Sequence, residues 1–193
     1  MGPQATIYMY NKIVKMTNAG KDQEHIEIFI HNNTNIPDRT QAILNKGESP
    51  LEELSRSARI LNQMGADVLI VPCMTSHYYF EDLQKKITIP IINAIEQSVI
   101  HIISSYPGIK NVGILATTGT IKSRLFQKNL IQNDLKPIVV SDDVQKDLVM
   151  SAIYGSDGIK AGFINQHTKN KLMKASANLI KDGAELIIIT GKT

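Results

Sequence analysis

The stretch Gly65-Ala-Asp-Val-Leu-Ile-Val-Pro-Cys73-Met74-Thr75-Ser76-His77 decides how the chain is read. Its centre is a short run of Val, Leu and Ile bounded by Gly and Pro, which suits a strand buried in the middle of a parallel sheet. The only cysteine of the chain stands where that strand gives out. In open parallel α/β sheets, ligands settle beyond the carboxyl ends of the strands. Thr75, Ser76 and His77 then bring hydroxyls and an imidazole to the place where the next helix should begin. A helix N-terminus offers free N–H groups that favour an anion and lower a thiol's pKa. A lone cysteine also serves as a small buried hydrophobe, and on spacing alone the two readings stand level. The polar cluster behind Cys73, and a second segment of the same design, favour a working thiol.

Composition narrows the classes. The 193 residues suffice for one domain or two small ones with a real core. An apolar content of 42% with 20% charged residues is that of a soluble globular protein. The net charge of +3 is spread along the chain, with no Lys/Arg patch of the kind that holds nucleic acid. One cysteine excludes an internal disulfide framework, and nothing resembles a secretory signal. No apolar run approaches the roughly 18 residues that cross a bilayer. The expected location is the cytoplasm, with no nucleic-acid and no membrane partner.

Outward from the central stretch, strand and helix alternate. A helix is predicted from about Ala5 to Thr17, with Ile7, Tyr10, Ile13 and Val14 on one face. A strand is predicted at Ile26 to His31, followed by a polar loop to Thr40. The next helix opens with Ser49 as N-cap, Pro50 at the first position and Glu52 three after the cap. Its face runs through Leu51, Leu54, Ala58 and Leu61, and Gly65 closes it. A helix over about Thr75 to Lys85, a strand at Ile89 to Ile92 and a helix over about Ile95 to Ser104 lead to a break at Tyr106-Pro107-Gly108. Beyond it come a strand at Asn111 to Ala116, the hydroxyl-rich loop Thr117-Thr118-Gly119-Thr120 and a helix over Ile121 to Gln132. Then follow a strand at Pro137 to Val140, a helix over Val144 to Tyr154, a loop at Gly158 to Gly162, a helix over Asn165 to Lys181 and a last strand at Ala184 to Thr190. The pattern is α/β with parallel sheets, in two domains covering 1–106 and 107–193.

Ala58 to Cys73 and Ala177 to Lys192 share one layout: a helix, then Gly65-Ala-Asp or Gly183-Ala-Glu, then an aliphatic run and a turn. Two similar halves invite a pseudo-two-fold arrangement with a cleft between them. Any two βα units of a parallel sheet also look alike, so the repeat alone leaves this open.

Seven stretches carry a resemblance to a known family. They are Met1-Gly-Pro-Gln-Ala-Thr6, Ile36-Pro-Asp-Arg-Thr40, Pro72-Cys-Met-Thr-Ser-His77, Ile89-Pro-Ile-Ile92, Ala116-Thr-Thr-Gly-Thr-Ile121, Gly158-Ile-Lys-Ala-Gly162 and Gly183-Ala-Glu185. In this order, over nearly the whole chain, they resemble the aspartate/glutamate racemases, the cofactor-independent two-cysteine amino-acid racemases, and most closely the aspartate racemases. The resemblance implies two Rossmann-like α/β halves facing each other in a homodimer, with no cofactor and no metal. It also implies a small acidic amino acid or dicarboxylate as ligand. One thiolate removes the α-proton while a second thiol returns a proton to the opposite face. Inverting a stereocentre through a planar carbanion requires an acid and a base on opposite sides, each within hydrogen-bond reach.

Carried over by position, the resemblance makes Cys73 the first acid/base. It makes Arg39 the fork that clamps the substrate's side-chain carboxylate, and Lys160 a lysine at the substrate. Thr75, Thr118 and Thr120 become hydroxyl donors to its carboxylates, although loop threonines also cap helices. Gly2, beside Met1, lets backbone approach the ligand. His77 reads as a structural partner for the loop rather than a base. Three departures stand out. Met74 occupies a position where the family has an asparagine that holds the α-carboxylate. The second cysteine is absent; its place falls on Gly191 when counted from Gly183, or on Lys192 when Gly191-Lys192-Thr193 is matched to the family's Gly-Cys-Thr. Lysine can serve as a base when its pKa is lowered; glycine cannot. The first family strand and the segment that returns after the last motif are both expected to be missing, which leaves a sheet edge and apolar helix faces to cover. The expected function is racemisation of aspartate or glutamate. The alternatives are a protein that binds a dicarboxylate without turnover, and a one-thiol enzyme that protonates a carbanion from one face, as in decarboxylation.

Overall fold

The computed structural model describes residues 2–190. Helix α1 (Pro3–Met16) opens the chain with Pro at its start, where the missing N–H costs nothing. Helices α2 (Arg39–Ile43) and α3 (Leu51–Gln63) follow. Pro50 caps α3, one residue later than the sequence suggests, and Ser49 Oγ accepts from Leu51 N–H at 3.3 Å. At its end Gly65 takes φ +94°; Gly65 N–H donates to the Asn62 carbonyl and Ala66 N–H to that of Leu61. That Schellman closure needs a left-handed residue, hence the glycine. Gly183 (φ +92°) ends helix α10 (Gln166–Lys181) in the same way, with Gly183 N–H on Ile180 and Ala184 N–H on Leu179. The repeat legible in the sequence is therefore real at the level of how a helix stops.

Beyond Tyr106 the chain forms a parallel sheet from β1 (Asn111–Leu115), β2 (Lys136–Val139) and β3 (Leu186–Ile189), in the order β2-β1-β3. Its register is pinned where Glu185 accepts from the N–H groups of Lys110 and Asn111 at 2.8 and 2.7 Å. On one face lie Ile95, Val99, Phe126 and Leu130 with Val112 and Ile114; on the other, Val149, Ile153, Ala175 and Leu179 with Leu115. The first of these clusters draws on α5 (Ala94–Ser105) and α7 (Leu125–Gln132), so apolar packing runs straight through the turn at residue 106. A separate cluster before it joins Leu54, Ala58, Leu69, Tyr79, Leu83 and Ile91.

The α/β class with parallel strands holds, but several elements differ. Ile26 to His31 is not a strand: no described segment pairs with it, and Ile26 and Ile30 are exposed. The central stretch and Ile89 to Ile92 meet only at the parallel bridge Leu69↔Ile91, flanked by Leu69 N–H to Pro90 and Ile92 N–H to Leu69. Pro72 and Pro90 withhold two donors that a longer ladder requires. The expected helix after Cys73 is a 3₁₀ turn (Met74–Tyr79) running into a short α4 (Phe80–Gln84). Ile121 to Gln132 divides into α6 (Thr118–Ser123) and α7 at Arg124, whose φ is +57°. Val144 to Tyr154 lies within α8 (Asp142–Val144), a π-helical stretch (Gln145–Met150) and α9 (Ser151–Tyr154). No helix among the described residues is long and apolar enough to cross a membrane.

Candidate functional site

Cys73 is a free, half-buried thiol in the cap position of the 3₁₀ turn. Its N–H donates to the Val71 carbonyl at 2.7 Å, and its own carbonyl accepts from Ser76 N–H at 3.0 Å. The same carbonyl lies 3.1 Å from His77 Nδ1, while Ala94 N–H donates to His77 Nε2 at 3.1 Å. Because Nε2 accepts, the ring carries its proton on Nδ1 and donates it to Cys73. His77 is buried, and desolvation lowers its pKa below the usual 6.5, against the pull of carbonyls from Cys73, Ile92 and Met74. The reading of His77 as a loop partner fits this arrangement.

Two residues after Cys73, Thr75 enters a knot of hydroxyls. Its Oγ1 lies 2.9 Å from Thr120 Oγ1 and 3.2 Å from Thr117 Oγ1, and the latter two are 3.2 Å apart. Thr40 donates to Thr117 Oγ1 at 3.3 Å. Thr40, Thr75 and Thr120 are buried, so each of these bonds replaces water that cannot reach them. The knot ties the loops around Thr40 and Cys73 to the N-cap of α6, where Thr117 Oγ1 also accepts from Thr120 N–H. Gly119 makes the contact possible: a Cβ there would stand 2.9 Å from the Cα and Oγ1 of Thr40.

A second link lies beside the first. Asp38, the N-cap of α2, accepts from Gln41 N–H at 2.9 Å, from Lys160 Nζ at 2.8 Å and from Tyr154 Oη at 3.0 Å. Lys160 Nζ also stands 3.8 Å above the Tyr154 ring, a cation–π contact. Burial pushes the Asp38 pKa up, but Lys160, Gln41 N–H and Tyr154 together hold it below the usual 3.8. Lys160 is thus engaged with Asp38 in this state. Arg39 folds back on its own loop, donating to the carbonyls of Ile36 (3.3 Å) and Pro37 (3.0 Å), and its buried Nε has no hydrogen-bond partner among the described residues.

Thr118 is held from two sides. Its N–H donates to Met150 Sδ at 3.3 Å, and its Oγ1 accepts from Gln145 Nε2, which also reaches the Ala116 carbonyl. Met74 is partly buried and packs on the cluster that holds Ile95, Val99 and Phe126. Gly2 caps α1 with φ −66°, a conformation open to any residue, and no atom lies within 4 Å of where its Cβ would be. Met1, Gly191 and Lys192 lie outside the described residues. The structure therefore brings Thr75 and Thr120 together near Cys73, sets Thr118 close by on α6, and leaves Gly2 apart. Sequence reasoning did not single out Asp38, Thr40, Thr117, Gln145, Met150 or Tyr154. The Asp beside Arg39 and the run of threonines were visible, but their partners are remote along the chain. No group of three or more His, Cys, Asp or Glu among the described residues could hold a metal ion.

The broad specificity amino-acid racemase RacX of Bacillus subtilis (strain 168) is 26% identical over 137 residues, 69% of this chain and 58% of RacX. The glutamate racemase of Aquifex pyrophilus is 34% identical over 74 residues, 38% of this chain and 29% of that protein. The chain thus spans little more than half the length of RacX and less of the other. Among solved structures, the Picrophilus torridus aspartate racemase superposes with a TM-score of 0.80 at 24% identity, covering 98% of this chain and 76% of that one. An aspartate racemase homologue from Pyrococcus horikoshii OT3 gives 0.71 at 20% identity, covering 98% and 80%. At these identities the superpositions speak for the fold. The sequence profile of the Asp/Glu/Hydantoin racemase family matches residues 1–191, and the chain belongs to that family.

Proposed function

We propose that the protein is a cofactor-independent racemase of acidic amino acids, aspartate or glutamate, in which Cys73 exchanges the α-proton. The observation that carries this reading is the meeting of Thr75 with Thr117 and Thr120, 42 and 45 residues further along the chain. The thiol loop and the hydroxyl loop, which the family resemblance assigns to one substrate, come together at that point. Arg39, at the start of α2 and with a buried Nε–H unmatched among the described residues, supplies a cationic fork beside that point. An anion that satisfied this donor would remove the cost of leaving it buried and unpaired. The Cys73 thiolate takes the α-proton as the carboxylates are held, and the planar carbanion is reprotonated from the other face. Lys192 or Gly191 falls at the position of the second acid/base, and of the two only the Lys192 ammonium carries a side-chain proton to return to the other face.

The single cysteine favours a second reading, in which Cys73 delivers a proton to one face only. Incubation of L- and D-aspartate, and separately of the glutamates, in D₂O decides the matter. Inversion with deuterium at the α-carbon, abolished in Cys73→Ala, is the expected result. Exchange with retained configuration selects one-sided chemistry. Binding with neither exchange nor inversion, or full activity in Cys73→Ala, refutes the proposal.

A further inference from the structure

The imidazole of His77 is a buried ionisable group that this chemistry leaves unused, and its two bonds point in different directions. Nδ1–H donates to the Cys73 carbonyl; Nε2 accepts from Ala94 N–H. Ala94 is the first residue of α5, and Asn93 Oδ1 already satisfies the next two amides, Ile95 and Glu96. The Ala94 amide is one of the orphan donors that every helix N-terminus must place, and His77 is where this one goes. Behind it, α5 is anchored in the core by Ile95, Val99 and Ile102. The ring stacks on Phe80 at 6.3 Å and an interplanar angle of 6°, which restricts its rotation.

From this geometry we infer that His77 is a positioning residue: its neutral Nδ1–H tautomer tethers the thiol loop to the fixed end of α5 and so sets the direction of the Cys73 side chain. The inference rests on Cys73 being the reacting thiol. The peptide carbonyl that follows the Cys73 Cα is held by Ser76 N–H and by His77, the latter being the link to α5. Protonating the ring turns Nε2 from an acceptor into a donor facing another N–H, so the tether breaks in acid. Ionisable groups on the surrounding elements are Cys73, Tyr78 and Tyr79 on its own turn, Glu81 and Asp82 on α4, Glu96 and His101 on α5, Arg39 on α2 and Lys122 on α6. None of their side chains is among the groups that shift the ring, which are burial and the carbonyls of Cys73, Ile92 and Met74. The switch therefore belongs to the ring, its two bonds and the carbonyls of Ile92 and Met74 beside it.

His77→Gln and His77→Ala test this in the full chain. The amide of glutamine has a donor and an acceptor spaced much as the two ring nitrogens are, and it does not titrate. Two measurements are made: α-deuterium exchange of aspartate against pH, and the Cys73 and Ala94 amide resonances over the same range. With one to two hydrogen bonds at stake, His77→Ala should lose about tenfold or more in kcat with KM changed less than about threefold, and His77→Gln should recover to within about threefold. As pH falls through the ring's pKa, which burial holds below the usual 6.5, the wild type should lose activity along a limb that the Gln variant lacks. Both amide signals should move with the ring's own titration in the wild type and stay still in the Gln variant. Equal activity in wild type and His77→Ala, or an acid limb unchanged in His77→Gln, overturns the inference. Should no form turn over aspartate, the amide signals alone decide: a ring titration that leaves Cys73 and Ala94 unmoved refutes the tether.

Discussion

Replacing Gly119 by alanine tests whether the two loops meet backbone to backbone. A methyl group there would lie 2.9 Å from the Thr40 Cα and 2.9 Å from its Oγ1. Non-bonded carbons settle at about 3.5 Å or more, so α2 and α6 must open by roughly 0.6 Å. The Thr40 hydroxyl could rotate aside, but its Cα cannot. Overpacking of this kind costs about 1–3 kcal/mol, and the better helix propensity of alanine returns up to about 1 kcal/mol. The net expectation is a loss of about 1–2 kcal/mol, which at a slope of about 2 kcal/mol/M lowers the urea midpoint by about 0.5–1 M. The 3.3 Å bond from Thr40 to Thr117 is already long and should be the first to go. Adding Thr40→Ala removes Oγ1 but not Cα, so the double variant should not recover. Gly2→Ala, with open space around it, is the control and should fall within about 0.5 kcal/mol of wild type. A Gly119→Ala protein as stable as that control, or full rescue by Thr40→Ala, would show that the contact is not a backbone one.

Asp38→Asn keeps an N-cap on α2 but removes the charge opposite Lys160, whose side chain is 40% exposed. The loss should stay below about 1 kcal/mol, whereas Asp38→Ala also gives up the cap and should cost about 1–2 kcal/mol; equal losses in thermal unfolding would assign the whole effect to the charge opposite Lys160. Since its folded pKa is lowered, the stability Asp38 contributes is present above its usual 3.8 and is lost as pH falls through the lower folded value. Glu185 behaves with the same sign: Lys110 and Asn111 N–H hold its pKa below 4.5. Acid should therefore destabilise the wild type more steeply than Glu185→Gln between about pH 5 and pH 3; parallel urea-midpoint curves would contradict the role given to that carboxylate.

What was legible in the sequence was local. The apolar face of α3, its glycine stop and the matching stop at Gly183 depend on residues a few positions apart, and they appear as read. Ile26 to His31 has the composition of a strand, but a strand exists only where a neighbour lines up beside it, and composition does not reveal the neighbour. The break at Arg124 uses a left-handed arginine, with neither glycine nor proline to announce it. At the site, Thr75, Thr118 and Thr120 were visible as hydroxyls in turns. Thr40 reaches Thr117 across 77 residues, and Tyr154 reaches Asp38 across 116. Such pairings are decided by how distant segments pack, which no short window of sequence contains.

The π-helical stretch from Gln145 to Met150 has a geometric consequence of its own. In a regular α-helix of 3.6 residues per turn, side chains five apart point to different sides; closing the ring one residue later brings them back into line. That is how one short segment grips Thr118 with an amide at its first residue and a sulfur at its last. Rewinding these six residues to the ordinary helical pitch, with none removed, would turn the two fingers to different sides, and only one of them could then still touch the threonine.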